Sequence, residues 1–233
     1  MDKINCKAKL YLDDRTDAQE IEALNAAEID FTFLNNDHDF VEGLYGKVAA
    51  NTSNEWLLIL TSDEIPTTEM LIATAELIDG LSKDVNCAAF ARRWVYREPG
   101  GDLKHSTAPF IGDDYQPRLI RHKDVFFRPI VHTGGFDIDP QRQKMIPREF
   151  PVYHFDWLVH SKSLRQRKLA FYDRILPGAA QSFAKWYLPE NCLQEHAMQS
   201  VSEKDVIDFS NTLDTEDHGA WVDKLAIKYN YPR

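Results

Sequence analysis

The stretch "NEWLLILTSDEIPTTEM", residues 54–70, decides how the chain is read. Trp56 to Leu60 form an unbroken apolar run, and Asp63, Glu64 and Pro66 follow directly. Such a run predicts a strand buried on both faces. The acids then stand at the strand's carboxyl end, where open α/β sheets bind their ligands. Beyond Thr67, the apolar positions Met70, Leu71, Ala73, Leu77 and Leu81 predict a helix. Two readings of the acids follow. They form part of a ligand site, or they merely complement the N-terminal dipole of that helix.

Outward from this stretch, the first third repeats the same alternation. "AKLYLDD" predicts a short strand ending in Asp13 and Asp14, and "DAQEIEALNAAEI" a helix with Ile21, Leu24 and Ile29 on its buried face. "DFTFLNND" and the helical "FVEGLYGKVAANTS" come next, and "NCAAFARRWVYRE" follows the helix after residue 67. Strand and helix in alternation predict an α/β fold, a mostly parallel sheet flanked by helices. In such a sheet Asp13-Asp14 and Asp63-Glu64 share one edge, since both pairs end strands. Clustered carboxylates repel one another, and a divalent cation is a common compensation. Asp13 and Asp14 also suit a turn and helix N-cap.

After residue 98 the composition changes. "PGGDLKHSTAPFIGDDY", from Pro99 to Tyr115, predicts a long loop of the kind that covers a cleft. "QPRLIRHKDVFFRPIVHTGGF" gives strand-like pieces, and "PREFPVYHFDWLVHSKSLRQRKLAFYDRIL" begins extended and becomes helical. Its basic residues Lys162, Arg165, Arg167 and Lys168 read as a solvated helix face, or as a patch for phosphate or an acidic acceptor. The expected organisation is a domain over residues 1–175 and a helical C-terminal extension over 176–233, with Phe183, Trp186, Tyr187 and Trp221 as packing anchors.

Composition sets outer bounds. A hydrophobic content of 43% with 12% aromatics supplies a packed core and excludes global disorder. No apolar run approaches the roughly 20 residues of a membrane span, and the N-terminus carries no signal-peptide core. Cys6, Cys87 and Cys192 lack metal-ligand spacing and predict reduced thiols, hence a cytoplasmic protein. The net charge of −10 counts against a nucleic-acid partner.

Four segments carry a family resemblance. "YLDDRTDAQEI", "EWLLILTSDEIP", "DDYQPRLIRHKDVFFRPIVH" and "YHFDWLVHSKSLRQRKLAFY" resemble, in order, elements of family-2-type glycosyltransferases with the GT-A fold. The second resembles the metal-binding strand of that family, with Thr61-Ser62-Asp63 where relatives carry Asp-x-Asp. The resemblance implies a GT-A-like sheet lacking the usual first strand. It also implies transfer of a sugar from a nucleotide-sugar donor to an acceptor hydroxyl on a glycan, lipid, protein or modified base. The implied cofactor is Mn²⁺ or Mg²⁺, held by Asp63, Glu64 and His154. Asp13, Asp14, Arg118 and Arg121 are the implied donor contacts, and Asp114 the candidate catalytic base. A non-catalytic relative serving as a binding or assembly partner is the alternative. A nucleotidyltransferase would want a Gly-rich basic loop near the N-terminus, which the sequence does not offer. Trp94 and Trp157 read as core residues, with sugar stacking as their second reading.

Overall fold

The computed structural model describes residues 8–16, 18–98, 101–107, 114–131, 134–191 and 197–202. Cys6, Cys192, His132, Trp221, parts of the Pro99–Tyr115 loop and most of the expected C-terminal extension lie outside the described residues. The chain divides into two compact units that interleave along the sequence: Met1–Ile59, Leu71–Ala89 and Pro117–Lys144 in the first, and Leu60–Met70, Phe90–Gln116 and Met145–Arg233 in the second.

The first unit opens with a right-sized βαβ element. Strands β1 (Leu10–Asp13) and β2 (Phe31–Leu34) run parallel, joined by helix α1 (Ala18–Ala26). These two strands form a sheet of their own. Helix α2 (Glu42–Ala50) follows, and then β3 (Trp56–Leu58), the opening apolar run. β3 is half-buried and pairs antiparallel with β7 (Asp114–Arg121), with Leu57 opposite Ile120. The amide of Ile59 continues the ladder to the carbonyl of Arg118 at 2.8 Å. Cys87, Ile120 and Phe136 form this unit's buried cluster, with Leu57, Ile59, Val125 and Phe127 packed against it. Burial pushes the Cys87 thiol up to about 12, so it is an inert packing residue. Gly135 has φ +73°, and a Cβ there would stand 2.4 Å from the Tyr45 ring, so both backbone and space demand glycine.

In the second unit, β4 (Glu64–Pro66) pairs antiparallel with β9 (Val152–His154), and β9 runs parallel to β5 (Cys87–Arg97), which also pairs with β8 (Gln143–Met145). β5 turns through Gly101 (φ +95°) into antiparallel β6 (Leu103–Ser106), which takes β10 (Met198–Ser200) on its other side. Val95, Tyr153, Phe155 and Val201 are buried together behind these strands. Helix α5 (Lys162–Ile175) starts at Ser161, whose hydroxyl accepts from the Leu164 amide at 3.2 Å. Helix α6 (Ala179–Tyr187) begins after Gly178 at φ +91° and packs through Tyr187 and Leu188 on Leu169.

The architecture is therefore mixed α/β with an open sheet, but the expectation of a mostly parallel sheet is corrected. β3–β7, β4–β9, β5–β6 and β6–β10 are all antiparallel. The physical reason lies in the connections. A parallel neighbour needs a crossover segment, as α1 supplies between β1 and β2, whereas β5 and β6 are joined by a tight turn. The shared sheet edge for Asp13 and Asp63 is likewise not formed, because β1 belongs to the separate two-stranded sheet. The helix-dipole reading of Asp63 and Glu64 also yields. Strand β4, which Glu64 opens, stands between Asp63 and helix α3 (Thr68–Gly80), whose N-terminus is capped by Thr67: its hydroxyl accepts from Met70 N at 3.0 Å.

At the end of β1, Asp13 accepts two bonds from the Arg15 guanidinium, at 2.8 and 2.7 Å, and one from the Arg15 amide at 2.9 Å. Asn36 adds a fourth at 3.1 Å. Burial opposes ionisation of Asp13, but the Arg15 and Asn36 bonds outweigh it and lower its carboxyl to about 2. A folded-state value below the ordinary one contributes stability above about pH 4, and that contribution disappears as pH falls towards 2. Asp13→Asn should therefore be less stable than wild type at pH 6 in urea unfolding. The gap should close by pH 2, and a gap independent of pH would contradict the assignment.

Candidate metal centre

The turn after the apolar run builds one wall of a polar cluster inside the second unit. Glu64 N donates to Thr61 O at 3.0 Å, closing the turn, and the Thr61 hydroxyl donates to Asp63 Oδ1 at 2.8 Å. The Asp63 carbonyl accepts from Phe155 N at 2.8 Å, which pins the turn to the end of β9. That pairing sets Asp63 Oδ2 3.2 Å from His154 Nε2. The His154 ring is buried perpendicular to the Trp94 ring, 4.2 Å between centroids, and its Nδ1 makes no hydrogen bond.

Helix α4 (Asp156–Val159) starts two residues beyond His154 and supplies the second wall. Asp156 has no exposure to solvent. Its Oδ1 lies 2.7 Å from His160 Nδ1 and accepts from Lys168 Nζ at 2.6 Å, while Oδ2 has no hydrogen-bond partner. Lys168 comes from α5, and its neighbour one turn earlier, Arg165, fixes the intervening backbone. The Arg165 guanidinium donates to Tyr187 O at 2.8 Å and to the carbonyl of His160, and pairs with Glu190. Arg165 is thus a buried structural cation and Lys168 a half-buried one, neither part of a solvated helix face.

The electrostatics follow from burial and pairing. Burial by itself raises the pKa of Asp63, yet His154, Lys168 and His160 together hold its carboxyl well below the usual range. Asp156 shows the same competition, with Lys168 and His160 prevailing over burial. Burial opposes the charge of Lys168 in turn, and Asp156 chiefly restores it, keeping the ammonium protonated. Asp63, Asp156 and His160 each offer a ligand atom, and these atoms lie within 4.8 Å of one another. Two carboxylates and an imidazole are a donor set that fits Mn²⁺, with Mg²⁺ favouring the oxygens.

The structure distributes the sequence candidates unevenly. It brings Asp63 and His154 together. Glu64, next to Asp63, is wholly buried and turned elsewhere: Oε2 accepts from Thr61 N at 3.2 Å, and Oε1 lies 3.5 Å from Arg92 Nη1. Arg92 also binds Asp114 Oδ2 at 2.8 Å through both Nε and Nη2. Trp94 Nε1 and Gln116 Nε2 complete the Asp114 carboxylate at 2.9 and 2.7 Å. Burial opposes ionisation of Asp114, and Arg92 with these donors prevails, leaving a carboxylate of low basicity.

Four further candidates lie in the first unit. Asp13 is occupied by Arg15 and Asn36, and Asp14 Oδ1 accepts from Asn36 N at 3.3 Å. Arg118 is buried on β7. Arg121 stacks 4.7 Å over Trp56 and pairs with Glu55 at 3.2 Å. Asp156 and His160 were not singled out by the sequence, and Lys168 was read only as one member of a basic cluster. The signal for the first two was the four-residue spacing of an acid and a histidine following His154. Neither a family model nor a curated protein matches the chain. No helix among the described residues is long and apolar enough to cross a membrane.

Arg92 serves two buried carboxylates, so its loss is costly. Arg92→Met should destabilise the protein by about 3–5 kcal/mol, because Glu64 and Asp114 are left buried without its charge. Adding Asp114→Asn should recover part of that loss in urea unfolding. Strict additivity of the two changes would show that the pair is not coupled.

Proposed function

We propose that the protein is a metal-dependent glycosyltransferase, moving a sugar from a nucleotide-sugar donor to an acceptor hydroxyl in the cytosol. One observation carries this reading: Asp63 and His154, 91 residues apart in sequence, meet at 3.2 Å. They belong to the two segments whose family resemblance pairs them as metal ligands. The GT-A-like assignment of the sheet rests on the same resemblance.

Asp63 and His154 would hold the cation, with Asp156 and His160 beside them. When bound, a divalent ion neutralises the diphosphate charge that develops as the nucleoside diphosphate leaves. The chain's own residues do the rest. The turn at Thr61 holds the Asp63 carboxylate in one orientation, and the Trp94 ring fixes the His154 imidazole. Asp114 stays ionised with its oxygens taken up by Arg92, Trp94 and Gln116, so an acceptor hydroxyl reaches it only as one of these partners gives way. It takes the hydroxyl proton only as its contact with Arg92 lengthens, since that contact depresses its basicity.

A non-catalytic relative is the second reading, and Lys168 favours it. Its ammonium already offsets one of the two clustered carboxylates, so the fold does not require a metal ion to stabilise Asp156. Thermal unfolding of the full chain with a panel of nucleoside diphosphates, with and without Mn²⁺, separates the two. The enzyme reading expects one nucleotide to raise Tm in a Mn²⁺-dependent manner. Asp63→Asn should weaken that binding by more than tenfold, above roughly 1.4 kcal/mol. Silence across the panel, or equal stabilisation of wild type and Asp63→Asn, would favour the non-catalytic reading.

A further inference from the structure

We propose that Asp156 supplies the second carboxylate of the cation site, beside Asp63, His154 and His160, and that Lys168 is a resident cation which a divalent ion displaces from it. The inference rests on the metal-dependent reading above and assigns the ligands within it.

Three observations converge on Asp156. It lies in the group whose ligand atoms come within 4.8 Å of one another, whereas the Glu64 oxygens face Thr61 N and Arg92. Its Oδ2 is fully buried yet makes no hydrogen bond, and buried carboxylate oxygens are normally satisfied. The one oxygen that is satisfied takes Lys168 Nζ at 2.6 Å, so a cation is already drawn to this carboxylate. In the sequence, Thr61 stands where an Asp-x-Asp motif would place its first acid. Asp156 restores the missing negative charge from a different element.

Charge balance explains the competition. Asp63 and Asp156 carry two negative charges against the single positive charge of Lys168. A divalent ion bound to both acids neutralises them and leaves the Lys168 ammonium in surplus. Ion and ammonium then compete for Asp156. The ion-loaded centre has a net positive charge, which suits a polyanionic diphosphate better than the ion-free centre does.

Mn²⁺ alone is the probe, titrated into the full chain and followed by electron paramagnetic resonance of the free ion. Asp156→Asn should weaken Mn²⁺ binding at least tenfold, comparably to Asp63→Asn, and Glu64→Gln less than threefold. Lys168→Met should tighten Mn²⁺ binding, and Mn²⁺ should raise its Tm by more than that of wild type. The paired variant Asp156→Asn, Lys168→Met removes both charges together and covers the case in which a single change unfolds the chain. It should remain folded and bind Mn²⁺ as weakly as Asp156→Asn. If Asp63→Asn abolishes binding while neither Asp156 variant weakens it, the ligand assignment is overturned and the metal-dependent reading stands. If Lys168→Met weakens binding, the displacement is overturned. If wild type binds no Mn²⁺, both readings fall.

Discussion

An ionised carboxylate removed from solvent, that of Asp156, is the constraint on which the second unit depends. Burying such a charge without compensation costs several kcal/mol even after relaxation. Asp156 sits at the junction of β9 and α4, and its compensation comes from groups further along the chain. Lys168 reaches it from α5 and His160 from the end of α4. Arg165, on the same side of α5 one turn earlier, then fastens the chain segment carrying His160, its donors spent on the carbonyls of Tyr187 and His160 and on Glu190. Strand end, short helix and long helix are held in a fixed relation by one acid.

The unit contains two arrays of the same charge type and different chemistry. Arg92 faces Glu64 and Asp114, and Lys168 faces Asp63 and Asp156, one cation to two acids each time. The Arg92 array is completed by pure donors, Trp94 and Gln116, which saturate the carboxylate and leave little capacity for a ligand. The Lys168 array is completed by two imidazoles, groups able to donate, accept or ligate. Trp94 links them, donating to Asp114 through its ring nitrogen and packing perpendicular to the His154 ring. The contrast separates an array suited to structure from one suited to an exchangeable cation.

Sequence pattern carried some of this and missed the rest for identifiable reasons. The apolar run and its following acids marked Asp63 because periodicity and turn chemistry are local signals. The direction of strand pairing was not local. An apolar triplet such as Trp56–Leu58 packs equally well beside a parallel or an antiparallel neighbour, and β7, its partner, arrives some sixty residues later. Asp63 and Glu64 looked equivalent because they are adjacent, yet one lies within the turn and the other opens a strand, so they face different partners. Lys168 was hidden by composition. A run of basic residues reads as a solvated face, and only the three-dimensional pairings reveal that Arg165 is buried and Lys168 turned inward to Asp156.

The β4–β9 ladder acts as a ruler for the segment between the apolar run and α3. Glu64 lies opposite His154, Ile65 opposite Tyr153 and Pro66 opposite Val152, directly after the turn that positions Asp63. Side chains alternate faces along a strand, so a shift of one residue would exchange the partners of Glu64 and Ile65. It would put a carboxylate where an aliphatic side chain packs against Tyr153 and Phe155, and withdraw it from Arg92. Length in this segment is therefore quantised. Residues there can be exchanged one for another, but an insertion or deletion has to come in a pair for the pleat to keep its two faces apart.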